Sequence, residues 1–167
     1  MPGLDVRWTT LDESEAPVLE NLYEFLLYDL ARYFGFDAQP DGSYGRADRI
    51  DRYWTGDFTV HVPWLGEAPA GFAIIGRADR VIEDRAGRDI AEFFVVRKVR
   101  RRGLGRLMAR HVWSMYPGDW LVRVAVVNEP AVPFWRSAIA EYTENAFEEE
   151  PAQRFDLDWV YFKFNNG

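Results

Sequence analysis

The chain has no cysteine. That excludes a disulfide framework and thiolate metal sites, and it is compatible with a reducing cytoplasm. Long hydrophobic runs are missing too. None approaches the roughly 20 residues that span a bilayer, and Met1-Pro2-Gly3-Leu4-Asp5 lacks a signal-peptide pattern. A soluble, cytoplasmic protein with no membrane partner is therefore expected. Positive charge is in deficit: the formal net charge is −7, which argues against a nucleic-acid partner, because phosphate backbones reward extended positive surfaces. Histidine is scarce at two residues. His111 falls on an apolar helical face and reads as core, and His61 sits in a hairpin with no recognisable partner. There is no internal repeat and no low-complexity segment.

What is present suffices for one core. With 167 residues, 48% of them hydrophobic, a single domain over 1–167 is expected. Leu4, Val6 and Trp8 alternate with Asp5 and Arg7, the period of a strand with one buried face. Thr10 and Glu13 have capping-box spacing, and Pro17 suits a first helical turn. Leu19, Leu22, Tyr23, Leu26, Leu27 and Leu30 then make an apolar stripe ending near Gly35. Residues 37–54 turn polar, with Pro40, Gly42 and Gly45 marking a loop before a short helix over 47–53. In this stretch Asp37, Asp41, Asp48 and Asp51 interleave with Arg46, Arg49 and Arg52. Two readings stay open: a solvated surface with local ion pairs, or an acceptor-site wall where carboxylates and Tyr44, Tyr53 or Trp54 hold a cationic amine.

Phe58, Val60 and Val62 alternate, residues 66–69 read as a turn, and 71–75 form a second apolar run, so a hairpin is expected. A charged loop over 77–88 leads to a β-rich run at 90–96 whose one charge is Glu92. Leu104, Leu107, Met108, His111, Val112 and Met115 recur at helical spacing, and Tyr116-Pro117-Gly118 stops that helix. Residues 120–127 read as a strand ending at Asn128. Pro130 and Pro133 suit the start of another helix, on which Ala131, Trp135, Ala138, Ile139 and Tyr142 share a face. An acidic segment over 141–150 precedes an aromatic β-run at 159–164. The order β-α-(α)-β-β-β-α-β-α-β-β is that of a mixed α/β layer.

The most informative stretch is 90–110. Between its strand and its helix lies Arg100-x-x-Gly103-x-Gly105, where side chains vanish as the first free N–H groups of a helix become available. That arrangement suits an anion. Residues 97–110 carry seven basic residues and no acid, enough to draw a polyanion toward an otherwise acidic protein. The stretch lacks the Gly-x-x-x-x-Gly-Lys-Ser/Thr of a P-loop, and Met108 occupies the third glycine position of a dinucleotide fingerprint.

At 95–105 and again at 128–135, the sequence resembles the GNAT superfamily of acyl-CoA-dependent N-acetyltransferases, and the resemblance covers most of the chain. Arg100, Gly103 and Gly105 fill its Arg/Gln-x-x-Gly-x-Gly/Ala positions. The resemblance implies a mostly antiparallel central sheet of about six to seven strands, about four flanking helices, and a splayed V between the two central strands. It implies acetyl-CoA as co-substrate, no metal, and a primary amine of a small molecule or peptide as acceptor, in a monomer or homodimer. The pyrophosphate would lie on Arg100, Arg101, Arg102, Gly103, Leu104, Gly105 and Arg106, with Arg102 and Arg106 as the favoured charge contacts. Main-chain groups of Phe94, Val95 and Val96 would pair with the pantetheine arm, and Asn128 would stand near it or cap a helix.

Trp135 occupies the position where many members have a tyrosine that protonates the departing thiolate. Indole cannot supply that proton. Trp135 would then pack along the cofactor while Tyr142, Tyr116 or water donates, or the thiolate leaves without a general acid. Ile139 and Ala140 replace the family's Gly-Phe. Glu92 is the candidate base, acting directly or through water, because a charge in an apolar strand is costly unless its site is polar or functional. Family members place this carboxylate nearer Asp89, and the other reading of Glu92 is a structural ion pair with an arginine. A non-catalytic acyl-CoA-binding or regulatory module is the alternative to an enzyme.

Overall fold

The computed structural model describes residues 4–45, 50–83 and 85–167. Arg46, Ala47, Asp48 and Arg49 lie outside them, and with them the first three residues of the short helix expected over 47–53. The described end of that stretch is a 3-10 turn, Asp51–Trp54.

The first strand, β1 (Arg7–Leu11), starts later than the alternation suggests. Thr10 still belongs to it, so the capping box falls two residues on: Asp12 accepts from the Ser14 N–H at 2.8 Å, and Glu15 accepts from the Asp12 N–H at 3.3 Å. Helix α1 (Ala16–Phe34) follows, with Pro17 in its first turn and Gly35 at φ 70° ending it. Next come β2 (Thr59–Leu65), β3 (Ala68–Pro69), β4 (Gly71–Arg77) and β5 (Arg88–Val95). Helix α2 (Leu104–Met115), strand β6 (Asp119–Ala125), helix α3 (Ala131–Tyr142) and strands β7 (Glu148–Arg154) and β8 (Leu157–Asn165) complete the chain.

The strands form one eight-stranded sheet in the order β1-β2-β4-β5-β6-β8-β7, with β3 beside β2. This is the mixed, mostly antiparallel sheet expected. The count exceeds six to seven because β3 has only two residues, and three α-helices rather than about four occur among the described residues. Strand β6 stops at Ala125, short of the expected 127. Val126 and Val127 lie exposed in the turn after it.

The chain divides into two compact units, each built from two stretches. The first comprises Met1–Ile74 and Glu92–Met108. In it β1 pairs antiparallel with β2 from Arg7↔Trp64 to Leu11↔Val60. The α1 stripe of Leu19, Leu22, Tyr23, Leu26 and Leu27 is buried as its spacing requires, and the Tyr23 ring stacks on Phe72 at 5.9 Å between centroids. His61 is buried in β2, with Nδ1 3.4 Å from Thr10 Oγ1. Gly71 permits the close approach of β4 to β5: a Cβ there would lie 2.2 Å from the Phe94 carbonyl oxygen.

The second unit comprises Ile75–Ala91 and Ala109–Gly167. The start of β5 pairs parallel with β6 through three pairs, Arg88↔Trp120 to Ile90↔Val122, the connection that needs a crossover helix. Beyond it β6 pairs antiparallel with β8 through seven pairs, and β8 with β7 through seven more. The acidic segment before Pro151 is thus half of a hairpin. Its charges fit an edge strand, whose outer face is solvated and whose Pro151 needs no ladder donor there. Glu150 pairs with Lys163 and Glu149 with Arg136. The core holds Trp113, Trp120 and Phe162, all fully buried.

Candidate functional site

The basic turn begins where β5 ends. Val99 and Leu104 are buried with Ala70, fixing both ends of the segment between them. Arg101 (φ 60°) and Gly103 (φ 89°) take left-handed backbone, and a Cβ at Gly103 would meet no atom within 4 Å. That geometry favours glycine, and the space above it is open to a ligand. The first helical hydrogen bond of α2 runs from the Leu107 N–H to the Gly103 carbonyl at 3.1 Å. The N–H groups of Leu104, Gly105 and Arg106 come before it, in the first turn of the helix. They sit at the positive end of the helix dipole, the electrostatics an anion needs.

The arginines of the run divide by partner. Arg100 faces the protein: its Nε donates to the Val95 carbonyl at 2.6 Å, its Nη2 pairs with Asp29, and its guanidinium lies 5.4 Å from the Phe94 ring centroid. Arg97 takes the other Asp29 oxygen at 2.6 Å, and Arg110 lies 3.4 Å from Glu141. Arg101 and Arg102 are exposed. Of the strand residues expected to meet the pantetheine arm, Val96 has both main-chain groups engaged within the protein: its N–H donates to Ala70 at 2.9 Å, and its carbonyl accepts from Val99 at 3.0 Å. Phe94 is buried and Val95 half-buried.

Glu92 also belongs to the first unit. Its Oε1 accepts from the Tyr53 hydroxyl at 2.8 Å and from the Tyr23 hydroxyl at 2.9 Å, and Arg52 Nη2 stands 3.5 Å away. The same Arg52 nitrogen donates to the Tyr53 oxygen at 2.6 Å. Both phenols are pushed well above their ordinary range, first by burial and next by the negative charge of Glu92. They therefore remain protonated donors. In sequence Tyr53 is one of several aromatic candidates for the acceptor wall, and Tyr23 reads only as core. The available signal is chemical: a tyrosine within a leucine stripe brings a hydroxyl that needs a partner once buried.

The remaining candidates lie in the second unit. Asp89, nearer the family's usual carboxylate position, is buried and clamped by Arg123, whose Nε and Nη2 reach its two oxygens at 2.9 and 2.6 Å. Burial pushes this carboxyl up, and the guanidinium pulls against that. Asn128 lies in the turn after β6, where its carbonyl accepts from the Ala131 N–H at 2.9 Å. Pro130, rather than Asn128, is the N-cap of α3. Trp135 is buried, its ring 5.0 Å from Phe134 and 6.2 Å from Trp113. Tyr142 packs against Trp113 at 4.9 Å, and its oxygen accepts from Asn166 Nδ2 at 3.2 Å. Arg88 lies over the Tyr116 ring at 4.1 Å. His111 is half-buried, and burial pushes its imidazole down. Among the described residues no three His, Asp or Glu side chains gather as metal ligands, and no helix is long and apolar enough to cross a membrane.

No protein-family model matches the sequence, and no curated protein does. Solved structures do match in shape. An acetyltransferase from Thermus thermophilus superposes with a TM-score of 0.67 at 14% identity, over 99% of each chain. The spermidine N-acetyltransferase of Vibrio cholerae, solved with CoA and spermine, gives 0.63 at 12% identity, over 96% of this chain and 95% of that one. The ribosomal-protein-S18-alanine N-acetyltransferase of Escherichia coli gives 0.64 at 14% identity, over 97% and 94%.

Proposed function

We propose that this chain, whose fold is that of the GNAT acetyltransferases, transfers an acetyl group from acetyl-CoA to a primary amine. The observation that carries the proposal is the turn at 100–106. It combines left-handed backbone at Arg101 and Gly103, open space where a Cβ would be, and three N–H groups ahead of the first helical bond. Those features fit a pyrophosphate, with Arg101 and Arg102 adding charge from the exposed side of the turn and Arg100 bracing it. Phe94 and Val95 are the main-chain partners proposed for the pantetheine arm, and Asn128 a further polar contact.

In the reaction the amine nitrogen attacks the thioester carbonyl carbon. A C–N bond forms, the C–S bond breaks, and coenzyme A leaves as thiolate. The proton lost by the amine passes to Glu92, directly or through water. The thiolate takes its proton from solvent, or from Tyr142 or Tyr116. Neighbours of the fold acetylate spermidine, an aminoglycoside and a ribosomal-protein alanine. They support an amine acceptor as a class, and the net charge of −7 favours a cationic one.

The test is coenzyme A release from acetyl-CoA over a broad panel of primary amines, alongside calorimetric binding of coenzyme A. Release above background is expected with at least one amine, and Gly103→Val is expected to abolish coenzyme A binding while the chain stays folded. Undiminished affinity in that variant would mean the loop is misassigned. Tight binding with no turnover on any amine would favour the non-catalytic acyl-CoA-binding module, the reading to which the buried Trp135, in place of an accessible phenol, lends weight.

A further inference from the structure

We infer that Tyr23 and Tyr53, with Arg52 behind them, are positioning residues for Glu92: two phenols from separate elements grip one carboxylate oxygen, fixing the side chain's orientation and favouring its ionised form. The inference rests on the role proposed for Glu92 in taking the acceptor's proton.

The hydrogen-bond directions follow from counting protons. Arg52 Nη2 has only protons to give, so at 2.6 Å the Tyr53 oxygen is the acceptor. The one Tyr53 proton then points elsewhere, and Glu92 Oε1 is 2.8 Å away. Tyr23 has two acceptors in range, Glu92 at 2.9 Å and the Tyr53 oxygen at 3.3 Å. The shorter and charged one wins. Donation therefore runs from Arg52 through Tyr53 to Glu92, and from Tyr23 to the same oxygen.

The phenols have little freedom to leave. Each is 2% exposed; Tyr23 stacks on Phe72, and Tyr53 meets Phe58 edge-on at 5.1 Å. Arg52 is the exposed member, with its side chain 61% exposed and its guanidinium 4.7 Å from the Tyr53 ring centroid. If these rings served packing alone, phenylalanine would fill the space without burying a hydroxyl. The charge of Glu92 explains the hydroxyls. Donors that favour a carboxylate's charged form hold it ionised against its own burial, and a fixed acceptor is what proton transfer requires. Among the groups facing Glu92 are Tyr23 from α1 and Arg52 and Tyr53 from the 51–54 turn.

Tyr23→Phe, Tyr53→Phe, the double variant and Arg52→Met test this in the full chain. Steady-state kinetics would use the best amine of the panel, and the Glu92 carboxyl carbon would be titrated by 13C NMR, assigned by its loss in Glu92→Gln. In the double variant kcat should fall by about tenfold or more, and KM for acetyl-CoA should stay within about twofold. The acid limb of the rate profile and the Glu92 titration should both move to higher pH. Arg52→Met should give a smaller change in the same direction. Unchanged kcat, acid limb and titration in the folded double variant would overturn the inference, leaving the tyrosines as core. A moved titration in a protein that acetylates no amine would uphold the clamp and remove the proposed reaction.

Discussion

Strand β5 carries two acids three residues apart, Asp89 and Glu92, an odd spacing that turns their side chains to opposite faces of the strand. Their surroundings differ in kind. Asp89 has a side chain 3% exposed, and a guanidinium holds both of its oxygens. Glu92 is 20% exposed and meets neutral phenols, with the arginine charge held back at 3.5 Å. The first arrangement compensates a buried charge and leaves the carboxylate little to offer another molecule. The second holds a partly exposed carboxylate by hydroxyl donors, a setting in which it can still exchange a proton. Sequence position on the strand would favour Asp89 as the base, whereas the surroundings favour Glu92.

The largest effect that would break this contrast belongs to Asp89. Arg123→Met should destabilise the fold by about 3–5 kcal/mol, because it leaves an uncompensated buried carboxylate, and urea unfolding at pH 7 measures it. A loss below about 1 kcal/mol would mean that Asp89 is not held by this pair. Next is Glu92→Gln, expected to cost about 100-fold in kcat, near 2.7 kcal/mol of barrier, with a far smaller change in unfolding free energy. Should the variant keep its rate, Glu92 is structural like Asp89.

The smallest effect concerns the phenols at high pH. Tyrosines in the unfolded chain ionise near pH 10, while burial and the Glu92 charge keep Tyr23 and Tyr53 protonated to higher pH in the folded state. Above pH 10 the folded chain thus binds more protons than the unfolded one. Their contribution is complete below pH 10 and lost as pH rises beyond it, by up to about 1.4 kcal/mol per pH unit for each tyrosine. Unfolding curves from pH 8 to 11 should fall less steeply in the Tyr23→Phe, Tyr53→Phe double variant than in the parent protein.

Much of this was legible from local pattern. The α1 stripe, the Gly103 turn and the oddity of Glu92 follow from spacing, because periodicity and a misplaced charge are local signals. The partners were not. Tyr23 and Tyr53 lie 69 and 39 residues from Glu92, and a tyrosine in an apolar stripe looks the same whether or not its hydroxyl is engaged. Arg100 reads as a phosphate contact, since nothing near it in sequence announces Asp29, 71 residues away. The turn between β7 and β8 was hidden differently. Its two loop residues, Phe155 and Asp156, both have positive φ, yet the Asn-Gly or Asp-Gly that announces such a turn is missing. An acidic strand at a sheet edge likewise carries no apolar alternation to read.

The division of the chain into Met1–Ile74 with Glu92–Met108, and Ile75–Ala91 with Ala109–Gly167, bears on how the protein can be cut. Neither unit is a continuous length of polypeptide. The backbone passes from one to the other inside β4, inside β5 and inside α2, so each junction lies within a regular element instead of a linker. No single scission can liberate either unit whole. A protease nick in the loop between β4 and β5 would yield two fragments that each hold part of both units, and such fragments should survive only by remaining associated.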